Sequence, residues 1–266
     1  INAGIDFTGG TQLEVQFPAG TDTNNTQLAA LVDGVSEDLS GTSVVTAGQD
    51  TYLIKTKFME EQTYDLVIQS LKDNVSTEVV ENRFTTVGPT ISETLRTRAV
   101  TALAFALVAI IIYIALTFRN IPKKYSPWKF GFAAMIALAH DVIITLGIFS
   151  LFQLEVDALF ITALLTVIGF SVHDTIVVFD RIRENLTSFS GKRKKFAEVC
   201  NVSLSQSLAR SINTSISTLL TLLALLLLGS PSIQEFILAL VIGIGIGTYS
   251  SIFIASPSLN RILQKK

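Results

Sequence analysis

The chain has 266 residues, 49% of them apolar and 16% charged, with a formal net charge of −2. That balance excludes an ordinary soluble domain and a basic nucleic-acid binder, and makes membrane embedding the first expectation. The near-neutral total hides an asymmetry: residues 1–90 carry 13 acidic and 4 basic side chains, a net of −9, and the remainder 9 acidic and 16 basic ones, a net of +7.

The first part reads as an acidic, water-facing domain. TQLEVQF (11–17) alternates like a strand, residues 23–39 have helical spacing behind a Thr/Asn start, and SVVTA with DTYLIKTK forms a hairpin around Gly48. Residues 60–75 are a second helix and 77–87 a last strand. Strand, helix, strand, strand, helix, strand is the split βαβ order of a ferredoxin-like domain, and Gly88-Pro89 closes it. The expected domains are therefore 1–92 and 93–266.

Five apolar stretches follow, at about 98–118, 130–152, 156–179, 209–229 and 233–255, each reaching the roughly 20 helical residues needed to cross a bilayer. Arg119, Lys123, Lys124 and Lys129 lie between the first two; Arg181, Arg183 and the run Lys192, Arg193, Lys194, Lys195 lie between the third and fourth. With Arg261, Lys265 and Lys266 they put those loops in the cytoplasm by the positive-inside rule, and residues 1–92 on the other side. The opening INAGIDFTGG has no basic-then-apolar leader, so a sixth helix before Ile1 is expected in the native protein. The single cysteine, Cys200, cannot make an internal disulfide.

Both histidines, His140 and His173, precede an aspartate inside an apolar stretch. An ionised Asp at the centre of a membrane helix costs roughly 2.5–3.5 kcal/mol, so Asp141 and Asp174 must face protein or water. Adjacent residues point about 100° apart on a helix, and no H-x-x-x-H or H-E-x-x-H spacing occurs, which argues against a metal site. G-x-S-x-G is absent as well, so no hydrolase is implied.

Proton handling suits these residue types. Burial favours the neutral form of a carboxyl and a nearby cation its charged form, which poises the group between the two. Arg210 is the expected cation, on a stripe formed by Gln206, Arg210, Asn213 and Ser217 at steps of 4, 3 and 4. Two readings of Arg210 stand, counter-ion or snorkelling interfacial cation. For Asp174 the alternative to proton exchange is a fixed interhelical hydrogen bond, and for His173 the alternative to a relay is a packed imidazole. Ala239, Gly243, Gly247, Ser251 and Ala255 recur every four residues in the last stretch and predict close helix packing.

GIDFTGGTQLEVQF, VGPTISETLRTRA, ALAHDVIITLGIFSL, IGFSVHDTIVVFDRIREN and QSLARSINTSISTLLTLLALLLLG together resemble the SecF family of bacterial export subunits, within the RND superfamily. The resemblance implies a six-helix membrane protein that, with SecD, uses the proton motive force to help draw polypeptides out of the SecYEG channel. SecA and YidC belong to the same implied apparatus. It implies no cofactor and no enzymatic activity, with protons as coupling ion or sodium in their place, and a bacterial inner-membrane location. By the same resemblance Asp174 and Arg210 take part in proton conduction, His140 and Asp141 match a further motif, and Asp6, Gly9 and Gly10 mark the exit from the first helix. The family more often has Asn where this chain has His173. Competing readings are a fragment of a small-molecule or lipid exporter of the same superfamily, and a membrane scaffold that transports nothing.

Overall fold

In the computed structural model, residues 1–21, 23–48, 50–122, 125–189, 195–230 and 233–264 are described. Lys123, Lys124, residues 191–194 of the GKRKK run, Lys265 and Lys266 lie outside them. The chain divides into two compact units, Ala3–Arg98 and Ile1–Asn2 with Ala99–Lys266.

The N-terminal unit follows the short strand β1 (Asn2–Ala3) and contains the one-turn helix α1 (Ile5–Thr8), strands β2 (Gly10–Gln16), β3 (Ser43–Gly48), β4 (Thr51–Thr56) and β5 (Val80–Val87), and helices α2 (Asn25–Asp33) and α3 (Glu61–Asn74). The sheet order is β3-β4-β2-β5, with every neighbouring pair antiparallel. Alternation in β2 sends Leu13 and Val15 to one face. There they join Ile54 of β4, Leu28 and Val32 of α2, and Val67 and Leu71 of α3 in one buried cluster. Both helical pairs sit four residues apart, one turn along a single face. Asn24 caps α2 by accepting from the Gln27 amide at 2.9 Å.

The helix expected over 23–39 is shorter. It ends at Asp33, and a separate 3₁₀ turn at Glu37–Leu39 is capped by Ser36. The Asp33 carboxylate accepts from the Thr42 amide at 3.0 Å, which ties the end of α2 to the following loop. Asp33 is thereby held below the usual carboxylate range, chiefly by its hydrogen bonds to Thr42.

The membrane unit contains α4 (Pro89–Thr117, from Ala99 onward), α5 (Pro127–Leu151), the short strand β6 (Glu155–Val156), α6 (Ala158–Ser188), α7 (Phe196–Leu228), α8 (Gln234–Ser250) and α9 (Ser256–Gln264). A π-helical turn, Ser251–Ala255, joins α8 to α9. Among the described residues, five helices are long and apolar enough to cross a membrane, α8 and α9 counting as one. Asn2 belongs to this unit and donates to the Gln153 carbonyl at 3.1 Å.

Several helices outrun their apolar stretches. The helix α6 continues past residue 179 to Ser188, and α7 begins at Phe196 rather than near 209. Their polar turns lie side by side: Asn185 donates to Ser203 at 2.8 Å and to Gln206 at 2.9 Å. Arg181–Glu184 and Arg183–Asp180 ion pairs, each at 2.5 Å, line the same extension of α6. Hydropathy marks the length that fits hydrocarbon, whereas caps and partners set the helix ends. At the same end, Lys129 Nζ donates to the Ile262 carbonyl at 2.9 Å, satisfying one of the last carbonyls of α9. Phe118, Phe130 and Phe179 interlock there with ring centroids 5.3–6.1 Å apart. The helices α6 and α8 run through the middle of the unit, and α4 and α7 keep most of their apolar windows exposed.

Candidate functional site

The two membrane aspartates lie on neighbouring helices. Asp141, on α5, is fully buried. Its Oδ2 accepts from Ser171 Oγ of α6 at 2.6 Å, and its Oδ1 lies 3.2 Å from His140 Nδ1. Asp174, on α6, is 4% exposed and accepts through Oδ2 from Ser251 Oγ, the first residue of the π-helical turn.

The last membrane helix fits against both positions because it lacks side chains there. A Cβ on Gly243 would come within 2.4 Å of Val167 Cγ2, and one on Gly247 within 3.1 Å of Ser171 Cβ. Glycine at these two positions lets α8 reach α6 closely enough to lay Ser251 on Asp174. A further link runs to α7: Thr248 Oγ1 donates to Ser215 Oγ at 2.6 Å, and Ser215 donates back to the Ser211 carbonyl at 2.9 Å. Asp141, Ser171, Asp174, Ser215, Thr248 and Ser251 thus form a polar layer across four helices.

Arg210 is not in that layer. It is exposed and makes no ion pair among the described residues, so the expected Asp174–Arg210 pair is absent from this arrangement. The physical reason lies in the face α7 presents. Ser203, Ser207, Ser211 and Ser215 form its buried edge, small enough for close approach. Three of them satisfy their hydroxyls on carbonyls four residues back. The stripe read from the sequence is therefore turned outward, with Asn213 and Ser217 exposed beside Arg210. Gln206, at the polar end of α7, accepts from Arg181 Nε at 2.7 Å and from Asn185. His173 is exposed and His140 partly so. Of the polar partners, Ser251 was read only as a small packing residue, Ser171 and Thr248 carried no signal, and Ser215 carried a faint one, the four-residue recurrence of serine along α7.

In the N-terminal unit Asp6 lies within the α1 turn, and Gly9 and Gly10 follow it with φ of 72° and 138°. A side chain at Gly10 would place Cβ 2.5 Å from the Thr56 carbonyl oxygen, so the pair serves a close backbone approach to β4.

Five spanning-length helices with carboxylates buried between them, preceded by a small α+β unit, define a multi-pass membrane protein whose interior carries titratable groups. The family described as protein export membrane protein SecD/SecF, C-terminal, matches residues 67–265, and the SecD/SecF GG motif matches residues 1–17. The chain belongs to the SecD/SecF family.

It is 42% identical to the protein translocase subunit SecF of Thermobaculum terrenum and 41% identical to that of Anaerolinea thermophila. Each alignment covers 96% of this chain, and 83% and 82% of the relatives. The crystal structure of SecDF, a translocon-associated membrane protein from Thermus thermophilus, superposes with a TM-score of 0.83 at 35% identity. That match covers 97% of this chain and 34% of the Thermus chain, so this chain spans about a third of it.

Proposed function

We propose that the protein is the SecF-type subunit of a SecDF complex, and that with SecD it uses the proton motive force to assist polypeptide translocation through SecYEG, beside SecA and YidC. It acts as a coupling device rather than an enzyme, with protons as the moving ion and no cofactor. Residues 1–92 face the extracytoplasmic side of the inner membrane, with basic loops facing the cytoplasm. The β3-β4-β2-β5 order supports the ferredoxin-like reading of that domain.

One observation carries the proposal: two carboxylates are buried among apolar helices, and Asp174 is met by a neutral hydroxyl rather than by a cation. A purely structural scaffold has no need to accept such a desolvation cost twice. The outward stripe of Arg210, Asn213 and Ser217 is also costly against lipid, chiefly through the Arg210 charge, which supports a partner membrane surface over it. SecD, named in the structural neighbour as part of SecDF, fits that place. Arg210 then serves the proton path from the joint between the two proteins.

One proton crossing a potential of about 150 mV releases near 3.5 kcal/mol, at about 2.3 kcal/mol per 100 mV. Driving a two-state element from 1:99 to 99:1 needs about 5.5 kcal/mol, so one proton tilts a balanced equilibrium and cannot force a lopsided one. The N-terminal domain accordingly alternates between orientations of similar free energy. In inner-membrane vesicles carrying SecD, SecYEG and SecA, Asp174→Asn is expected to retain SecD and to lose the export component that depends on the proton motive force. Undiminished export in that variant refutes the coupling role.

A further inference from the structure

Ser251 has one hydroxyl proton and two acceptors within reach. One is Asp174 Oδ2, and the other is the Thr248 carbonyl, three residues back on α8, at 3.0 Å. Ser251 is fully buried, so water does not compete freely for it. Among the described residues, it is also the one side chain that hydrogen-bonds Asp174. It opens the Ser251–Ala255 turn, where the helix changes from α to π spacing; such insertions concentrate at functional positions.

We infer that Ser251 is the positioning residue that reads the charge of Asp174 and passes it to the π-helical turn of the last membrane helix. The inference rests on the reading of Asp174 as a proton-exchanging group. When Asp174 is ionised, Ser251 donates to its carboxylate, and the turn is held against α6. When Asp174 takes up a proton, the new carboxyl O–H donates to Ser251 Oγ, and the serine hydroxyl rotates to the Thr248 carbonyl. No bond to carbon changes, and the only proton gained is the one on Asp174. The hydrogen bond between the two helices reverses direction, and the Thr248 carbonyl becomes engaged or released at the edge of the turn.

Charged neighbours do not duplicate this role. The ionisable side chains on the elements packed against α6 are Lys129, His140 and Asp141 on α5, Glu155 on β6, Glu198, Cys200 and Arg210 on α7, and Glu235 and Tyr249 on α8. Asp141 is taken up by Ser171 and His140, Lys129 by Ile262, and Arg210 and Tyr249 are exposed. On α6 itself His173 is exposed, and Asp180, Arg181, Arg183 and Glu184 pair with one another on its polar extension. The π-helical turn has no ionisable residue.

The test follows the carboxyl of Asp174 by infrared difference spectroscopy on the full chain in lipid vesicles, with the band assigned by its loss in Asp174→Asn. At the pH where wild-type Asp174 is half ionised, Ser251→Ala is expected to lower the ratio of carboxylate to carboxyl about tenfold or more, the size of one hydrogen bond to a charged acceptor. Ser251→Thr keeps the hydroxyl and returns the ratio to within about twofold. Should the alanine variant fail to fold, Ser251→Cys, a weak donor of similar size, is expected to lower it less but in the same direction. An unchanged ratio in Ser251→Ala or in Ser251→Cys, or a fall equal in the threonine variant, overturns the inference. Export by Asp174→Asn is scored separately: if that export is normal while the ratio still follows Ser251, the transport reading fails and the hydrogen-bond switch stands.

Discussion

Asp33 and Gly10 show how single residues fix the N-terminal unit. Asp33 is held below its ordinary value of 3.8 by Thr42 and the Gly41 amide. A lowered carboxyl contributes stability that is fully present above the unfolded value and is lost as the pH falls through the lower folded one. Wild-type protein should therefore lose stability relative to Asp33→Asn only below about pH 4, in thermal unfolding followed from pH 6 to pH 2. Tyr64, which donates to Glu81, is pushed up to about 12 by burial and by that carboxylate, so it remains a donor through the same range. Gly10 combines φ of 138° with a carbonyl 2.5 Å from its absent Cβ. Gly10→Ala should cost about 1–3 kcal/mol in denaturant unfolding, from backbone strain alone.

At the scale of elements, the pattern of residues was informative wherever one physical need dominated. Alternation in β2 and β4 was readable because one face of a sheet must be apolar. Asp141 and Asp174 stood out because a carboxylate in a membrane helix is costly anywhere else. Their partners were hidden for the converse reason: serine and threonine are tolerated throughout membrane helices by bonding to their own backbone, as Thr145, Thr162 and Thr166 do here. Which hydroxyl reaches across depends on helix register, and register depends on glycines whose contact is another chain segment. The facing of α7 was misread because polar residues draw attention to the exposed side while the buried side is merely small.

Two expectations follow for these helices. Gly243→Ala drives a methyl against Val167 and should destabilise by about 1–3 kcal/mol, with Val167→Ala restoring part of the loss in a double-mutant cycle. Ser211 is buried, and its Oγ has no hydrogen-bond partner among the described residues. Ser211→Ala should be neutral or stabilising in unfolding, whereas Ser211→Leu should disrupt the packing of α7.

For the whole molecule, the proposed topology puts the acidic unit and the basic-flanked loops of one chain on opposite sides of the membrane. Topology is measurable because the single native thiol, Cys200, is buried. A cysteine introduced at exposed Ser43 should react with an impermeant maleimide added outside spheroplasts, and one at exposed Lys195 only after the membrane is opened. Coupling between these two sides is the central claim, and it needs a group that carries charge in the bundle. On the proposed function that group is Asp174, with Ser251 hydrogen-bonded to it and α8 fitted against α6 through Gly243 and Gly247.

The most direct measurement is proton flux in vesicles containing the protein with SecD and a trapped pH-sensitive dye, after an acid pulse outside. Wild-type protein should acidify the lumen faster than empty vesicles, and Asp174→Asn should match the empty ones. Equal acidification by wild type and Asp174→Asn contradicts the account.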